Sequence, residues 1–334
     1  MIRRPPRSTL SSSSAASDVY KRQSMNLSEL LITFPEMSKE SLRMFRKSVD
    51  GAYRNFSREY GDAIEAVFDP VLYFLVWFEK LLQSSPWPIV ILVILILVYL
   101  GSRSIYLTIG SLFALLLIGY FGMWEDTMST VSIIGVCTFM SIGLGIPIGI
   151  AMSNSDRARA AITPILDVMQ TMPSFVYLIP VVMLLGIGKI PGLLAVIIYA
   201  IPPIIRLTDL GIREVDKEVL EAADAFGANK RQKLFRVQLP LALPTIFAGI
   251  NQTIMMALAM VVIASMIGVK GLGQPVLKAI TNQYFTMGLL NGLAIVALAI
   301  IFDRVSQSFG KRLQQHRSGS VSYTHLTLPT KRIV

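Results

Sequence analysis

Residues 208–240 read TDLGIREVDKEVLEAADAFGANKRQKLFRVQLP, and the arrangement of the chain follows from this segment. It is polar, and it lies between two long apolar runs, one ending near Arg206 and the other beginning at Leu241. Apolar runs of this length are typical of membrane-spanning helices. Two such helices therefore hold the loop on one side of a bilayer, where it faces water.

Local patterns within this loop predict a helix, a turn and a second helix. Apolar residues recur at steps of three and four and form one stripe on the first helix: Val215, Val219, Leu220, Ala223 and Phe226. We expect Gly227 to end that helix with a left-handed cap, because glycine adopts this conformation at little steric cost. Residues 230–237 are expected to form a second, basic helix that ends at Leu239 and Pro240, since proline cannot continue it.

The spacing of the loop resembles the EAA motif of ABC-importer permeases. That motif runs Glu-Ala-Ala, three residues, Gly, nine residues, an aliphatic residue, one residue and Leu-Pro. The matching positions are Glu221, Ala222, Ala223, Gly227, Val237, Leu239 and Pro240, with valine where isoleucine is usual. In that family the loop is a cytoplasmic coupling helix seated in a groove of a separate ATPase subunit. The resemblance thus implies that these seven residues couple the chain to an ATPase.

Composition places the chain in a membrane. Its 334 residues are 53% hydrophobic and 16% charged, and the mean hydropathy is +0.58, which is too apolar for an ordinary soluble domain. Of the net charge of +10, +6 lies in the two terminal segments, residues 1–23 and 321–334. The remaining +4 is ordinary for a membrane protein with basic cytoplasmic loops, so the charge does not indicate a nucleic-acid partner. The only cysteine is Cys137, and both histidines lie near the C-terminus. We therefore expect no catalytic residue, metal site or cofactor on this chain, and a membrane enzyme is disfavoured.

The order of segments along the chain predicts its organisation. Residues 1–23 and 321–334 resemble translated sequencing-adapter text and are expected to be non-native tails, with natural disordered tails as the alternative. Between them we predict the following: 24–85, amphipathic extracytoplasmic or interfacial helices; 86–126, two peripheral transmembrane helices; 127–310, the transmembrane core with its loop 208–240; 311–320, a cytoplasmic tail. The apolar residues between Asp69 and Glu79 are too few to cross about 30 Å of hydrocarbon, so a surface helix is favoured over a spanning one.

Seven spans are predicted from the apolar runs: 87–100, 104–123, 130–152, 162–187, 190–207, 241–267 and 287–301. If they alternate in direction, Arg103, Arg157, Arg159 and the basic residues of loop 208–240 share one side, whereas Glu125 and Asp126 lie on the other. Basic loops stay in the cytoplasm. The N-terminus is therefore expected outside and the C-terminus inside a bacterial inner membrane.

Polar residues within the spans are candidates for function. Asp167, Gln170 and Thr171 share one helix face and form a possible pathway site, because an ionisable residue in a span is a functional candidate by default. The alternative is that Asp167 pairs with one of three arginines: Arg157, Arg159 or Arg206.

Other polar or small residues favour packing or contacts outside the membrane. Gly145 and Gly149 favour close helix packing, and Asn251 favours hydrogen bonding between helices. The segment 268–275 is glycine-rich and is expected to contact an external binding protein. The sequence contains no G-x-x-x-x-G-K-[ST] pattern, so ATP must be hydrolysed by another polypeptide.

A second resemblance concerns MQTMPSFVYLIP at residues 169–180 and GKIPG at residues 188–192. These runs are similar to permeases of glycine betaine and proline betaine importers, over roughly residues 70–310. The resemblance implies an all-α integral membrane protein of the type I importer fold, with about seven transmembrane helices and a core of five. It further implies an ABC ATPase partner that uses ATP and Mg, an extracytoplasmic substrate-binding protein and a second permease copy. A permease for choline or an amino acid is the alternative, and a secondary transporter is a more distant one.

Overall fold

The computed structural model describes residue 34 and residues 36–318, with side chains described as far as Arg312. The segments 1–23 and 321–334 lie outside the described residues. The chain divides into two units, residues 1–56 and 57–334. Within the described ranges the regular structure is helical throughout.

The helices are numbered in chain order. They are α1 (Lys39–Ser84), α2 (Trp87–Ser102), α3 (Ile105–Tyr120), α4 (Trp124–Asn154), α5 (Asp156–Thr171), α6 (Leu178–Leu185), α7 (Lys189–Ala200), α8 (Pro202–Arg213), α9 (Lys217–Ala225), α10 (Lys230–Lys233), α11 (Leu239–Ala264), α12 (Gly273–Asn282) and α13 (Phe285–Ser318). Short 3₁₀ turns precede α6 and follow α11, and a π-turn, Leu234–Gln238, joins α10 to α11.

Helix α1 is amphipathic and 46 residues long. From Ser57 onward it packs on the core: the Ser57 hydroxyl donates to the Leu184 carbonyl at 3.0 Å, and Leu75 is only 1% exposed. The axis then turns by 114° between α1 and α2. Because Pro86 and Pro88 flank the start of α2, the break falls where a continuing helix would lose amide donors.

Four helical segments are long and apolar enough to cross a membrane: Trp124–Asn154, Lys189–Arg213, Lys230–Ile267 and Phe285–Arg312. Counting each of two bent pairs as one span gives six. The sequence predicted seven, and each predicted segment is largely helical, although the fourth is interrupted at Met172 and Pro173. The six include α2, which is paired with α1, and the predicted span left out is α3, because its 16 residues reach only about 24 Å at 1.5 Å per residue.

The predicted fourth span, residues 162–187, is broken within its length. Helix α5 ends at Thr171, and the chain bends by 113° before the segment that contains α6. Pro173 explains the bend, because proline disfavours the helical conformation at the residue before it. Met172 accordingly is extended, with φ −71° and ψ 129°.

The predicted end of the second loop helix at Leu239 and Pro240 is also wrong. The chain continues from α10 through the π-turn into α11 as one apolar segment, Lys230–Ile267. The Leu239 amide bonds to the Leu234 carbonyl, five residues back. This wider turn relieves the clash between a proline ring and the carbonyl four residues earlier, so Pro240 is accommodated near the start of α11.

Glycines bring α8 close to two neighbouring helices. A Cβ added to Gly149 of α4 would lie 2.6 Å from the Thr208 Cβ and 2.7 Å from the Ile205 carbonyl oxygen. A Cβ added to Gly211 of α8 would lie 2.9 Å from the Thr245 Cβ of α11. The predicted packing role of Gly149 is thus confirmed, and Gly145 likewise contacts Ile204. Helix α8 is therefore held tightly between α4 and α11, and it carries the loop at its end.

Candidate coupling site

The loop begins where α8 leaves the apolar core. Ile212 and Val215 are buried, and Ile212 belongs to a small apolar cluster. This cluster consists of Met152, Leu166, Ile201, Ile204, Ile205, Ile212, Ala242 and Ile246. Asp216 then starts α9, because its carboxylate accepts a hydrogen bond from the Glu218 amide at 2.9 Å.

Gly227 ends α9 as predicted. Its φ is +77°, in the left-handed region. The Ala228 amide donates to the Ala223 carbonyl at 3.0 Å, and the Gly227 amide donates to the Asp224 carbonyl at 2.9 Å. This pair of bonds is the Schellman arrangement, which satisfies carbonyls left free at a helix end. The predicted left-handed cap is confirmed.

The turn after Gly227 folds α10 back toward α9. Asn229 and Gln232 form a reciprocal capping box at 2.8 and 2.9 Å. The Lys233 ammonium bonds the Asp224 carboxylate of α9 at 2.6 Å. The predicted helix, turn and helix are thus present, and they form one compact projection, which we call the coupling knob (residues 214–238).

Part of the predicted apolar stripe of the knob stays exposed. Val215 is buried and Leu220 and Ala223 are half-buried, but Phe226 is 92% exposed. Val219 and Phe235 are exposed as well. Glu221 and Ala222 lie on the exposed part of α9. Large apolar side chains held out in water by a folded loop are typical of a protein-binding surface.

A charged cluster lies beneath the knob, and sequence reasoning missed it. Asp209 is only 4% exposed; Arg213 donates to its Oδ1 at 2.9 Å and Arg159 contacts its Oδ2 at 3.1 Å. Arg213 also donates to the Met152 carbonyl at 2.8 Å and contacts Asp156 at 2.9 Å. The spacing of Asp209 and Arg213 by four residues, directly after an apolar run, is the signal that indicates a pair. The contacts with Arg159, Met152 and Asp156 have no signature in the sequence.

The predicted pathway residues lie together on the exposed surface of α5. The Asp167 carboxylate forms an ion pair with Arg206 of α8, and its side chain is 58% exposed. Gln170 and Thr171 are exposed beside it. Of the three arginines weighed as partners for Asp167, the structure selects Arg206, because Arg159 contacts Asp209. In the described part of the chain, no group of three His, Cys, Asp or Glu side chains is placed to hold a metal ion.

The end of α4 that lies away from the knob borders a polar cavity of about 440 Å³. Glu79 of α1 is buried there, bonded to Lys189 at 2.6 Å and to the Ser129 hydroxyl at 2.7 Å. Lys270 and Gln274 also line the cavity. The predicted glycine-rich segment 268–275 leads into α12, and the Leu272 amide donates to the Thr130 hydroxyl at 2.9 Å.

The described part of the chain is all-helical, with several candidate membrane spans and an exposed knob. Residues 141–315 match the family described as "Binding-protein-dependent transport system inner membrane component". The chain belongs to this family.

Relatives agree with this assignment, and a solved structure shares the fold. The chain is 48% identical to the glycine betaine/proline betaine permease ProW of Escherichia coli K12, over 72% of this chain and 68% of that protein. It is 43% identical to the glycine betaine/carnitine permease GbuB of Listeria monocytogenes, over 75% of this chain and 85% of that protein. The inward-facing methionine ABC transporter MetNI superposes with a TM-score of 0.51 at 20% identity, covering 55% of this chain and 93% of that chain.

These findings confirm the predicted all-α membrane fold and the predicted resemblance to betaine permeases. The chain is a multi-pass inner-membrane permease of an ABC transporter. Permeases of this kind work with an ATPase and a binding protein.

Proposed function

We propose that this chain is the permease subunit of an ATP-driven importer of glycine betaine and proline betaine-type osmoprotectants. The observation that carries the proposal is the 48% identity to ProW, which extends over most of the chain. The permease itself binds no nucleotide; a separate ATPase supplies the work by hydrolysing ATP with Mg. An extracytoplasmic binding protein delivers the substrate.

In this proposal the coupling knob docks on the ATPase. The residues that seat it are Glu221, Ala222, Ala223, Gly227, Val237, Leu239 and Pro240. Their arrangement supports the role: Ala222 is exposed and small enough to permit close approach, and Gly227 turns the chain sharply beside it. The exposed Phe226 adds an apolar anchor of the kind that dominates protein interfaces.

Two copies of the permease form the pathway between them. The charged pair of Asp167 and Arg206 supports this arrangement, because a charge in a membrane helix is expensive unless it faces protein or water. With Gln170 and Thr171, it gives α5 a polar surface that stays exposed in a single copy. We assign this surface to the pathway. A role limited to holding α5 against α8 is the alternative, and the ion pair itself is compatible with both.

The knob lies in the cytoplasm, with the N-terminus outside and the C-terminus inside. The distribution of charge supports this orientation. The knob carries Lys230, Arg231, Lys233 and Arg236, whereas the opposite end of α4 begins with Glu125 and Asp126. Basic segments are retained on the cytoplasmic side. The polar cavity around Glu79 then faces outward, toward the binding protein.

Uptake into proteoliposomes tests the proposed function. The permease is reconstituted with its cognate ATPase and binding protein, and entry of labelled glycine betaine is measured with and without ATP. We expect ATP-dependent uptake that unlabelled proline betaine competes away. Preferential uptake of choline or an amino acid would favour another substrate. Uptake driven by an ion gradient without the ATPase would make the chain a secondary transporter.

A further inference from the structure

The charged cluster beneath the knob joins three helices through one side chain. We call it the clamp and define it as Asp209, Arg213, Arg159, Asp156 and the Met152 carbonyl. Arg213 is the last residue of α8, Met152 lies in the last turn of α4, and Asp156 is the first residue of α5. The Arg213 guanidinium contacts all three helices at 2.8 to 2.9 Å.

The chemistry of the clamp favours fixed geometry. A guanidinium is planar, so its Nε, Nη1 and Nη2 atoms hold their three acceptors in one set of relative positions. A lysine ammonium is a point charge on a flexible stem and lacks that constraint. Burying the Asp209 carboxylate also costs free energy that well-packed apolar residues would avoid. Stability alone therefore does not explain why charges occupy this place.

The position of the clamp links the knob to the proposed pathway. Arg213 lies four residues before Lys217, where α9 begins, and the buried Val215 lies between them. At Gly149 and Thr208, α4 and α8 pack so closely that no space remains between the two helices. Asp156 begins α5, which carries Asp167, Gln170 and Thr171. A displacement of α9 therefore reaches the ends of α4 and α5 through contacts that cannot slide freely.

We propose that the clamp transmits movement of the coupling knob to α4 and α5, with Asp209 and Arg213 as positioning residues for ATP-driven transport. This proposal rests on the proposed coupling role of the knob. In it, Arg159 holds the outer oxygen of Asp209 so that the carboxylate keeps facing Arg213. The residues of the clamp bind neither substrate nor nucleotide.

Variants of the clamp distinguish transmission of movement from a role in stabilising the fold alone. Arg213→Lys keeps the positive charge but loses the planar fork, and Asp209→Asn keeps the shape but loses the charge. Arg159→Gln removes one contact, and Arg157→Gln is its matched control, because Arg157 is an exposed arginine two residues away and outside the clamp. For each variant, the melting temperature, ATPase copurification, ATP hydrolysis and betaine uptake are measured.

We expect Arg213→Lys and Asp209→Asn to assemble and hydrolyse ATP while uptake per ATP falls about tenfold, the scale of a typical coupling between sites. Arg159→Gln should lose less, and Arg157→Gln nothing. Unchanged uptake per ATP in assembled Arg213→Lys overturns the proposal, and so does an equal loss in Arg157→Gln. If the wild-type complex shows no ATP-dependent uptake, the proposed function fails instead.

Distances between spin labels keep the proposal testable if Asp209→Asn fails to fold. Labels on cysteines introduced at Lys217 of α9 and Ala161 of α5 are measured against a reference label on α13, with and without ATP. In the wild-type complex both labels should move together. In Arg213→Lys the label on α9 should move and the label on α5 should not. Joint movement of both labels in that variant would contradict transmission through the clamp.

Discussion

At the scale of single residues, Gly227 matters for two reasons: its backbone has a positive φ, and it places no side chain on the surface of the knob. Its φ of +77° favours glycine, yet no atom lies within 4 Å of the place where a Cβ would stand. The chain itself therefore tolerates a side chain at that position at a cost of about 1 kcal/mol in backbone conformation. Asparagine and aspartate tolerate this conformation best. If transport requires glycine more strictly than this cost explains, the reason must be the partner surface that the knob contacts.

The pair Gly227→Asp and Gly227→Asn tests that requirement. Both variants should insert in the membrane at wild-type levels, because the left-handed backbone conformation costs aspartate and asparagine a similar free energy. Gly227→Asp should abolish ATP-dependent uptake, because it adds a charge where the ATPase is proposed to dock. Uptake assays with immunoblots of the membrane fraction measure both effects. Normal transport by Gly227→Asp would remove the docking role from this turn.

A second prediction at this scale concerns Glu79. Glu79→Gln leaves the Lys189 ammonium without its carboxylate, and Lys189 is about a third exposed. The cost should therefore lie below that of a fully buried pair, at about 1–3 kcal/mol. Lys80→Gln is the control, because Lys80 is exposed and lines the same cavity. Thermal unfolding in detergent should show a lower midpoint for Glu79→Gln alone; equal midpoints would mean that the buried pair does not stabilise the fold.

At the scale of elements, the crossing of α4 with α8 is set by two glycines. Gly145 and Gly149 face α8, whereas a Cβ added to Gly143 of the same helix would meet no neighbouring helix within 4 Å. The difference follows from helical periodicity, because Gly143 projects from another side of α4. The contact with α8 is therefore limited to one face of α4. It holds α8, which leads into the knob, at a fixed distance from α4.

Alanine substitution on α4 tests this crossing. Gly149→Ala should destabilise the protein by about 1–3 kcal/mol, since the new methyl group meets the backbone carbonyl of Ile205 as well as a side chain. Gly143→Ala should be neutral or stabilise by up to about 1 kcal/mol, because alanine favours a helix. Thermal unfolding of the two variants in the same detergent compares them. Equal stability would show that α4 and α8 separate easily.

At the scale of the whole molecule, local sequence patterns predict most of the architecture but not its breaks. The knob between apolar runs, the cap at Gly227 and the close packing at Gly149 depend on short-range chemistry, and each was predictable. The bend at Pro173 and the continuation through Pro240 show opposite outcomes for proline. The backbone before each proline differs: Met172 is extended before Pro173, where the helix breaks, whereas a π-turn precedes Pro240, where the helix continues. Apart from the pair of Asp209 and Arg213, four residues apart, the clamp was beyond prediction, because its other contacts join residues up to 61 positions apart.

The proposed function requires the knob to face the cytoplasm and to meet the ATPase there. Labelling of Phe226→Cys tests this orientation, because residue 226 is highly exposed and the native Cys137 is fully buried. A membrane-impermeant maleimide should label this cysteine in inside-out vesicles, where bound ATPase should protect it, and should leave it unlabelled in right-side-out vesicles. Labelling in right-side-out vesicles would contradict the claim.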